Sequence, residues 1–331
     1  MPATTDRGRF EIAGSRIFVA GHRGMVGSAL VRRLEREACE ILTVDRAALD
    51  LRRQADVERW MQRERPDAVM VAAARVGGIQ ANATRPTEFL LDNLLIGANL
   101  LNAAAESGVR KLLFLGSSCI YPRLAPQPIS ERALLTGPLE PTNEAYAIAK
   151  IAGLLLTRSL NVQYGLPYIT VMPPNLYGPN DHYDLQTSHV LPALMRKIFE
   201  AHQAGSDTVT IWGSGTPFRE FLHVDDLADA CVFLMRVYDG PELINAGSGE
   251  EITIRDLAGL LADAVGYSGR FVFDPSKPDG TPRKLLNNDR IRALGWKPAI
   301  PLPEGLRSTL RSWRASERYP QAAQGAQTRS D

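Results

Sequence analysis

The sequence predicts an α/β fold in which helices cover both faces of a parallel sheet, followed by a smaller C-terminal lobe. Three observations favour this class. Short apolar runs alternate with helical patterns through the first half of the 331 residues, a glycine-rich turn follows the first apolar run, and Pro, Gly and polar residues become dense after Pro173. Alternation of this kind is typical of parallel strands joined by helices.

The apolar runs give the predicted strands in order, at 17–20, 41–44, 68–72, 111–115 and 168–172. A helix is predicted from Met25 to Glu37, and two unusually apolar helices are predicted at about 87–107 and 146–163. The run FLHVDDLADACVFLM at 221–235 is typical of a strand and a helix, and we expect both to return to the main sheet.

These elements divide the chain into two parts and a tail. We expect a main domain of residues 1–172 and about 220–249, a lobe of about 173–219 and 250–315, and a disordered tail at about 316–331. The lobe is rich in loop-forming residues, as in PPNLYGPNDHYD at 173–184. The tail lacks apolar periodicity, which is typical of disordered segments.

Composition argues against several classes of protein. The formal net charge of +1 gives no sign of a nucleic-acid or membrane surface, and no run of 18 apolar residues predicts a membrane span. Cys39, Cys119 and Cys231 are widely spaced and odd in number, which favours a reducing compartment over a disulfide framework or a metal site. The N-terminal segment lacks the apolar run of a signal peptide. We therefore expect a cytoplasmic protein that binds neither metal, nucleic acid nor membrane.

A glycine pattern, GxxGxxG, lies between the first predicted strand and the first helix. Its glycines permit a tight turn and the close approach of a pyrophosphate to the helix N-terminus. The position after a strand and before a helix predicts a dinucleotide-binding, Rossmann-type doubly wound domain, whereas the alternative is a glycine-rich turn without a ligand. The expected cofactor contacts in this loop are Gly21, His22, Arg23, Gly24, Met25, Val26 and Gly27.

The second strand ends with conflicting signals for the type of cofactor. An acidic side chain there binds the adenosine ribose of NAD, whereas arginines suit the 2′-phosphate of NADP. The chain has Asp45 beside Arg46, with Arg23 in the glycine loop. Two cations that could converge on a phosphate favour NADP(H). Asp45 would repel that phosphate if it points inward, and the alternatives are that it points away or pairs with an arginine.

Tyr146 and Lys150 form a YxxxK pattern, which places both side chains on one face of a helix. We expect the ammonium to lower the pKa of the phenol from its usual value of about 10. Such a phenol can donate a proton to a ketone oxygen while a hydride reaches the carbon. Ser117 or Ser118, at the end of the strand at 111–115, could bind the same oxygen.

Together the loop, the serines and YxxxK resemble the extended short-chain dehydrogenase/reductases that act on nucleotide sugars. Within them the chain is similar to the branch that acts on GDP-linked 4-keto-6-deoxy sugars, over roughly residues 14–315. The matching blocks are GHRGMVGSA (21–29), AARVGGI (73–79), FLGSSCIYP (114–122), EPTNEAYAIAKIAG (140–153), NLYGPND (175–181), WGSGTPFREFLHVDD (212–226) and DPSKPDGTPRKLL (274–286).

The resemblance implies an NADP-dependent oxidoreductase with epimerase activity. The expected reaction is epimerisation of GDP-4-keto-6-deoxy-D-mannose at C3 and C5, then reduction at C4 with NADPH to give GDP-L-fucose. Two alternatives stay open: an epimerase/reductase for another nucleotide-linked 4-keto sugar, and a non-catalytic NADP-binding regulatory protein. A complete Ser, Tyr and Lys set argues against the regulatory protein, because a regulator does not need a proton donor.

The resemblance also implies the catalytic residues. They are Ser117, Cys119, Tyr146, Lys150 and His189. The 4-keto group acidifies the neighbouring C–H bonds, so one base and one acid on opposite ring faces can invert each carbon in turn. Cys119 and His189 form this pair, and which of them is the base stays open. Without the resemblance, a small buried hydrophobe and a structural helix-start histidine are the simpler interpretations of these two residues.

The remaining binding residues are implied in the same way. Further cofactor contacts are Arg46, Leu51, Leu115, Gly116, Lys150, Pro173, Asn175, Leu176 and His189. Substrate contacts are Lys197, Trp212, Arg219 and Asp279, with the two cations suited to a diphosphate. The family has Pro-Thr-Asn where this chain has Pro173-Pro174-Asn175, so the second Pro removes an N–H and a hydroxyl.

The two apolar helices have two interpretations. The family forms homodimers through two helices per subunit, which make a four-helix bundle, and the helices at about 87–107 and 146–163 fit that expectation. The alternative is that both helices only pack on the sheet.

Overall fold

The structure is a computed structural model that describes residues 9–316 except 186 and 278. All but the first residue of the predicted disordered tail therefore lies outside the described residues. The strands are β1 (Arg16–Ala20), β2 (Glu40–Leu42), β3 (Ala68–Val71), β4 (Lys111–Leu115), β5 (Tyr168–Met172), β6 (Asn175–Tyr177), β7 (Thr208–Trp212), β8 (Phe218–His223), β9 (Ile244–Asn245), β10 (Glu251–Thr253), β11 (Arg270–Asp274) and β12 (Arg283–Lys284).

The helices surround these strands and match most of the predicted ones. They are α1 (Met25–Leu34), α2 (Gln54–Glu64), α3 (Ile79–Thr84), α4 (Pro86–Glu106), α5 (Glu144–Tyr164), α6 (Val190–Gln203), α7 (Val224–Val237), α8 (Ile254–Val265), α9 (Asp289–Ala293) and α10 (Leu302–Arg314). The first helix ends three residues earlier than expected, because the N–H groups of Arg36 and Glu37 bond carbonyls three residues back and turn the chain toward β2.

A six-stranded sheet in the order β2-β1-β3-β4-β5-β9 forms the main domain, and every neighbouring pair is parallel. Both faces of this sheet are buried. Ile17 and Val19 of β1 belong to one hydrophobic cluster with α1 and α7, whereas Phe18 and Ala20 belong to a second cluster with α2 and α4. Side chains alternate between faces along a strand, so the two clusters confirm the predicted doubly wound sheet.

A second, four-stranded sheet is built from β10, β8 and β12, with β6 also paired to β8. The expectation that the strand at 221–223 returns to the main sheet is wrong, because Phe221 pairs with Asn175 of β6. The following helix does reach the main sheet, since α7 shares the hydrophobic cluster of β1 and β4. The edge strand of the main sheet is instead β9, which pairs with β5.

The smaller lobe has a hydrophobic cluster of its own. Side chains of α6, α8 and α10 pack there against β7 and β11, which form a two-stranded parallel sheet. In the main domain α4 and α5 pack against each other and leave Leu91 (51% exposed) and Ile148 (43% exposed) on their outer surface. Among the helices of the described residues, none is long and apolar enough to cross a membrane.

Candidate active site

The glycine loop connects β1 to α1 in a turn that other residues could not form. Gly21 has φ +88, and a Cβ added there would lie 2.7 Å from the Cα atom of Ala73. A Cβ at Gly27 would collide with the carbonyl group of Gly21 and lie 2.8 Å from the Cα atom of His22. Gly24 precedes α1 with no side chain capping the helix. The first N–H groups of α1 therefore face a cradle that fits a pyrophosphate.

Asp45 follows β2 and pairs with the glycine loop. Its carboxylate accepts a hydrogen bond from Nη2 of Arg23 at 2.7 Å, and its other oxygen lies 3.3 Å from Nε2 of His22. Asp45 therefore pairs with an arginine, which is one of the arrangements that the sequence left open. The neighbouring Arg46 is exposed.

The chain after β4 places Ser117 near Tyr146, the predicted proton donor. The Ser117 hydroxyl caps a short turn by accepting a hydrogen bond from the Cys119 N–H at 3.3 Å, and it lies close enough to Tyr146 to lower the pKa of that phenol. Ser118 is buried, and its N–H donates to the Pro173 carbonyl at 3.2 Å. The first serine, not the second, therefore shares a site with the phenol.

Lys150 is held by the same strand. Its ammonium donates to the Leu115 carbonyl at 2.8 Å and lies 5.9 Å from the ring centre of Tyr146. The side chain is 5% exposed, and burial lowers the pKa of Lys150 to about 8.

The phenol does not follow the expected electrostatics. Burial raises the pKa of Tyr146, the nearby Cys119 raises it further, and the hydrogen bond with Ser117 lowers it by less. The expectation that the Lys150 ammonium lowers this pKa is therefore wrong, because desolvation of the phenolate outweighs an ammonium that is bound to a carbonyl. Tyr146 is consequently protonated at neutral pH, which is the state of a proton donor.

Cys119 is half-buried and contacts two polar groups. Nδ2 of Asn143 lies 3.4 Å from its sulfur, and Nζ of Lys284 lies 3.7 Å from the same atom. A cation at this distance stabilises negative charge that develops on the sulfur during proton transfer. These polar contacts differ from the packing of a small buried hydrophobe.

His189 is placed immediately before α6, where it is the N-cap residue. His189 is exposed, yet desolvation by the surrounding protein lowers the pKa of its imidazole. The charges of Lys284 and His182 lower this pKa further. Lys284 thus contacts Cys119, and its positive charge also disfavours the protonated form of His189.

The predicted substrate residues gather in the smaller lobe. Nζ of Lys197, on α6, lies 5.0 Å from the ring centre of Trp212, which is 50% exposed. Arg219 of β8 donates to the Asp279 carbonyl at 3.3 Å. The Asp279 carboxylate accepts hydrogen bonds from the N–H and hydroxyl groups of Ser214, at 2.7 and 2.8 Å. Burial lowers the pKa of Lys197 and of Arg219.

The other predicted cofactor residues follow the ends of the main strands. Leu115 ends β4, and the N–H of Gly116 donates to Val171 at 2.9 Å. Pro173 and Pro174 are both buried between β5 and β6, and Pro174 stands where the family has Thr. Strand β6 begins with Asn175 and Leu176. The Leu51 carbonyl accepts a hydrogen bond from Asn99 of α4 at 2.9 Å.

Sequence reasoning missed Lys284 and Asn143. Lys284 lies in a block that carried the family resemblance, yet nothing local indicates its contact with a sulfur 165 positions earlier. The pairing of β12 with β8, Lys284 opposite Arg219, places it there. Within the described residues no group of three or more His, Cys, Asp or Glu side chains could hold a metal ion.

Comparisons with known proteins agree with this geometry. The model of the NAD dependent epimerase/dehydratase family matches residues 17–247. The GDP-L-fucose synthase of Sinorhizobium fredii is 55% identical over 300 residues, which is 91% of this chain and 96% of that protein. The GDP-L-fucose synthase of Escherichia coli is 52% identical over 304 residues, covering 89% of this chain and 95% of the relative.

Two solved structures of proteins named for GDP-sugars also match most of this chain. A GDP-L-fucose synthetase from Naegleria fowleri bound to NADP matches with a TM-score of 0.85 at 30% identity, over 93% of this chain and 95% of that chain. A GDP-6-OMe-4-keto-L-xylo-heptose reductase from Campylobacter jejuni matches with a TM-score of 0.86 at 32% identity, over 93% of this chain and 99% of that chain.

Proposed function

This chain belongs to the NAD dependent epimerase/dehydratase family, and we propose that it catalyses the reaction of the GDP-L-fucose synthases. It is an NADP-dependent oxidoreductase with epimerase activity. It epimerises GDP-4-keto-6-deoxy-D-mannose at C3 and C5 and then reduces C4 to give GDP-L-fucose. The carrying observation is that Ser117, Cys119 and Tyr146 lie near enough to act on one another, while Lys284 lies 3.7 Å from the sulfur of Cys119 and its charge acts on His189.

Epimerisation uses the ketone as an electron sink. With O4 of the sugar between the hydroxyl groups of Ser117 and Tyr146, both donate hydrogen bonds to the enolate oxygen that forms when a proton leaves C3 or C5. One member of the Cys119–His189 pair removes that proton, and the other returns a proton to the opposite ring face. Each cycle inverts one carbon and leaves the pair with its protons exchanged.

Reduction uses the same oxygen site. NADPH, when bound, supplies the hydride that adds to C4. Tyr146 is protonated at neutral pH because burial raises its pKa, so its hydroxyl can give a proton to O4 as the ketone becomes an alcohol. Lys150, fixed on the Leu115 carbonyl, has further N–H donors with which to orient the cofactor ribose.

The two parts of the chain divide the binding work. The main domain holds NADP(H) through the glycine loop and the strand ends, and the smaller lobe holds the GDP-sugar. Lys197 and Arg219 neutralise the diphosphate, and Trp212 offers an exposed ring for stacking.

We also place a homodimer interface on α4 and α5 and the enzyme in the cytoplasm. The packed pair of helices exposes Leu91 and Ile148 on its outer surface, and large apolar side chains on one outer face of a helix pair support burial against a second copy. Two such pairs would form a four-helix bundle. Free cysteines at all three positions support a reducing compartment.

The test is turnover of GDP-4-keto-6-deoxy-D-mannose with NADPH in deuterated water. We expect oxidation of NADPH and deuterium at C3 and C5 of the product. No oxidation with this sugar, together with turnover of another nucleotide-linked 4-keto sugar, would overturn the proposed substrate. Binding of NADP without turnover of any such sugar would support the regulatory alternative instead.

One variant tests the proton-transfer pair. Cys119→Ser should suppress incorporation of deuterium while leaving NADP affinity nearly unchanged, because the sulfur contacts Asn143 and Lys284 and not the glycine loop. Cys39→Ser is the matched control, since Cys39 is half-buried beside the end of α1, where its thiol donates to Leu34. Full-rate incorporation in the Cys119 variant would remove this residue from the mechanism.

A further inference from the structure

We propose that Asp45 determines the cofactor selectivity of this chain: its carboxylate reduces the ratio by which the chain binds NADPH more tightly than NADH. The inference rests on the proposed nicotinamide-dependent function but concerns a different property, the discrimination between two cofactors. It begins from the ion pair of Asp45 with Arg23 at the end of β2.

The carboxylate of Asp45 is fixed in place from both sides. Its oxygens contact Arg23 at 2.7 Å and His22 at 3.3 Å, both in the loop that fits the pyrophosphate. Its own backbone carbonyl accepts hydrogen bonds from the N–H groups of Ala48 and Leu49, at 2.9 and 3.0 Å, which hold the turn after β2. Asp45 therefore occupies the position where a Rossmann-type domain meets the adenosine ribose.

At this position a carboxylate acts in opposite directions on the two cofactors. The 2′-hydroxyl of NADH can donate a hydrogen bond to it, whereas the 2′-phosphate of NADPH is repelled by it. The phosphate also needs cations, and the carboxylate already neutralises Arg23. Within the described residues Arg46 forms no salt bridge, although its charge is one of those that lower the pKa of Asp50, so this exposed cation remains available for the phosphate.

The size of the effect follows from charge and distance. The pair is solvent-accessible, with 76% of the Arg23 side chain and 43% of the Asp45 side chain exposed, so a ligand can displace it at small cost. After displacement, a carboxylate and a doubly charged phosphate about 6 Å apart in a water-like dielectric repel enough to change affinity by roughly tenfold. Because Arg46 stays available, we expect NADPH still to bind, with a reduced advantage.

Equilibrium dissociation constants test the proposal without any sugar. Calorimetric titrations with NADP⁺ and NAD⁺ are compared for the wild-type protein and for Asp45→Asn, with Asp45→Ser as a second variant in case one fails to fold. We expect each variant to bind NADP⁺ about tenfold more tightly and NAD⁺ no more tightly. A change in the ratio of the two constants below about twofold would overturn the proposal.

Asp67→Asn is the matched control. Asp67 also pairs with an arginine, Arg110 at 3.1 Å, and accepts a hydrogen bond from the Arg16 N–H, but it precedes β3 and therefore lies at the amino ends of the parallel strands, away from the glycine loop. An equal shift of the ratio in this variant would also overturn the proposal, because the effect would then be one of total charge. A selective shift in a protein that turns over no sugar would keep the inference and reject the proposed function.

Discussion

Gly27→Ala tests whether the glycine loop is shaped by packing as well as by the cofactor. The added methyl group would collide with the Gly21 carbonyl, with the carbonyl carbon 2.6 Å and the His22 Cα atom 2.8 Å away. All of these atoms belong to the backbone, so no side chain can rotate to make room. The turn must open instead.

Opening the turn has a cost that the structure allows us to approximate. The Gly21 carbonyl accepts a hydrogen bond from the Gly24 N–H at 3.0 Å, and losing it costs about 1 kcal/mol. The remaining overpacking costs about 1–3 kcal/mol. The free energy of unfolding should therefore fall by about 2–4 kcal/mol, which for a chain of 331 residues corresponds to a melting temperature lower by roughly 3–6 °C.

The assay compares Gly27→Ala with the same substitution at Gly24. A methyl group at Gly24 has its nearest neighbour, the Gly21 carbonyl oxygen, at 3.4 Å, which is an ordinary contact. We expect Gly24→Ala to melt within about 2 °C of the wild type, since its cost stays below about 1 kcal/mol. It should nevertheless bind NADP⁺ at least about tenfold more weakly, because the methyl group faces the approach of the pyrophosphate.

Thermal unfolding and NADP⁺ titration of the two variants thus separate two roles of glycine in one loop. A Gly27→Ala protein that melts with the wild type would refute the packing argument. Greater destabilisation by Gly24→Ala than by Gly27→Ala would refute it as well.

Three further predictions concern other parts of the molecule. If Cys119 transfers protons as proposed, Lys284→Met should slow deuterium incorporation about tenfold, because a cation 3.7 Å from its sulfur is lost. Arg283→Met, on the same strand but paired with Glu251, should not slow it. The pKa of Lys150 is about 8 in the folded chain and 10.5 in the unfolded chain, so the unfolded chain binds more protons between these pH values. As the pH rises from 8 to 10.5, the free energy of unfolding of the wild type, measured by denaturant titration, should therefore increase relative to that of Lys150→Met by at most about 3 kcal/mol. A difference between the two proteins that stays constant with pH would contradict this. Leu91→Lys combined with Ile148→Lys should halve the mass measured by light scattering, and an unchanged mass would move the dimer interface elsewhere.

The parts of the site that the sequence predicted are those specified by short-range patterns. Glycine spacing predicts the turn after β1, and YxxxK places Tyr146 and Lys150 on one helical face, because helix geometry fixes the i, i+4 relation. The strand end after β4 predicted a serine at the site, whereas the choice of Ser117 over Ser118 came from the family resemblance. Each of these relations is determined within a few residues, so pattern alone identifies it.

The remaining features depend on contacts between distant segments. The strand at 218–223 has an apolar pattern that fits either sheet, and its pairing with β6 and β12 decides the outcome. The same pairing brings Lys284 to Cys119. The direction of the Tyr146 pKa was predicted wrongly because the cost of burying a phenolate depends on the packed surroundings, which the spacing of two residues does not contain.

The hydrogen bonds made by a buried carboxylate on β8 have a consequence for the cations carried by β8 and β12. Glu220 of β8 is buried and accepts hydrogen bonds from the N–H groups of Gly249 and Leu286, at 2.7 and 2.8 Å. It thereby anchors the strand segments that carry Arg219 and Lys284. The backbone spacing between Arg219 and Lys284 is therefore established when the chain folds, before any ligand arrives. The part of the ordering entropy that belongs to this backbone need not be lost again when a ligand binds.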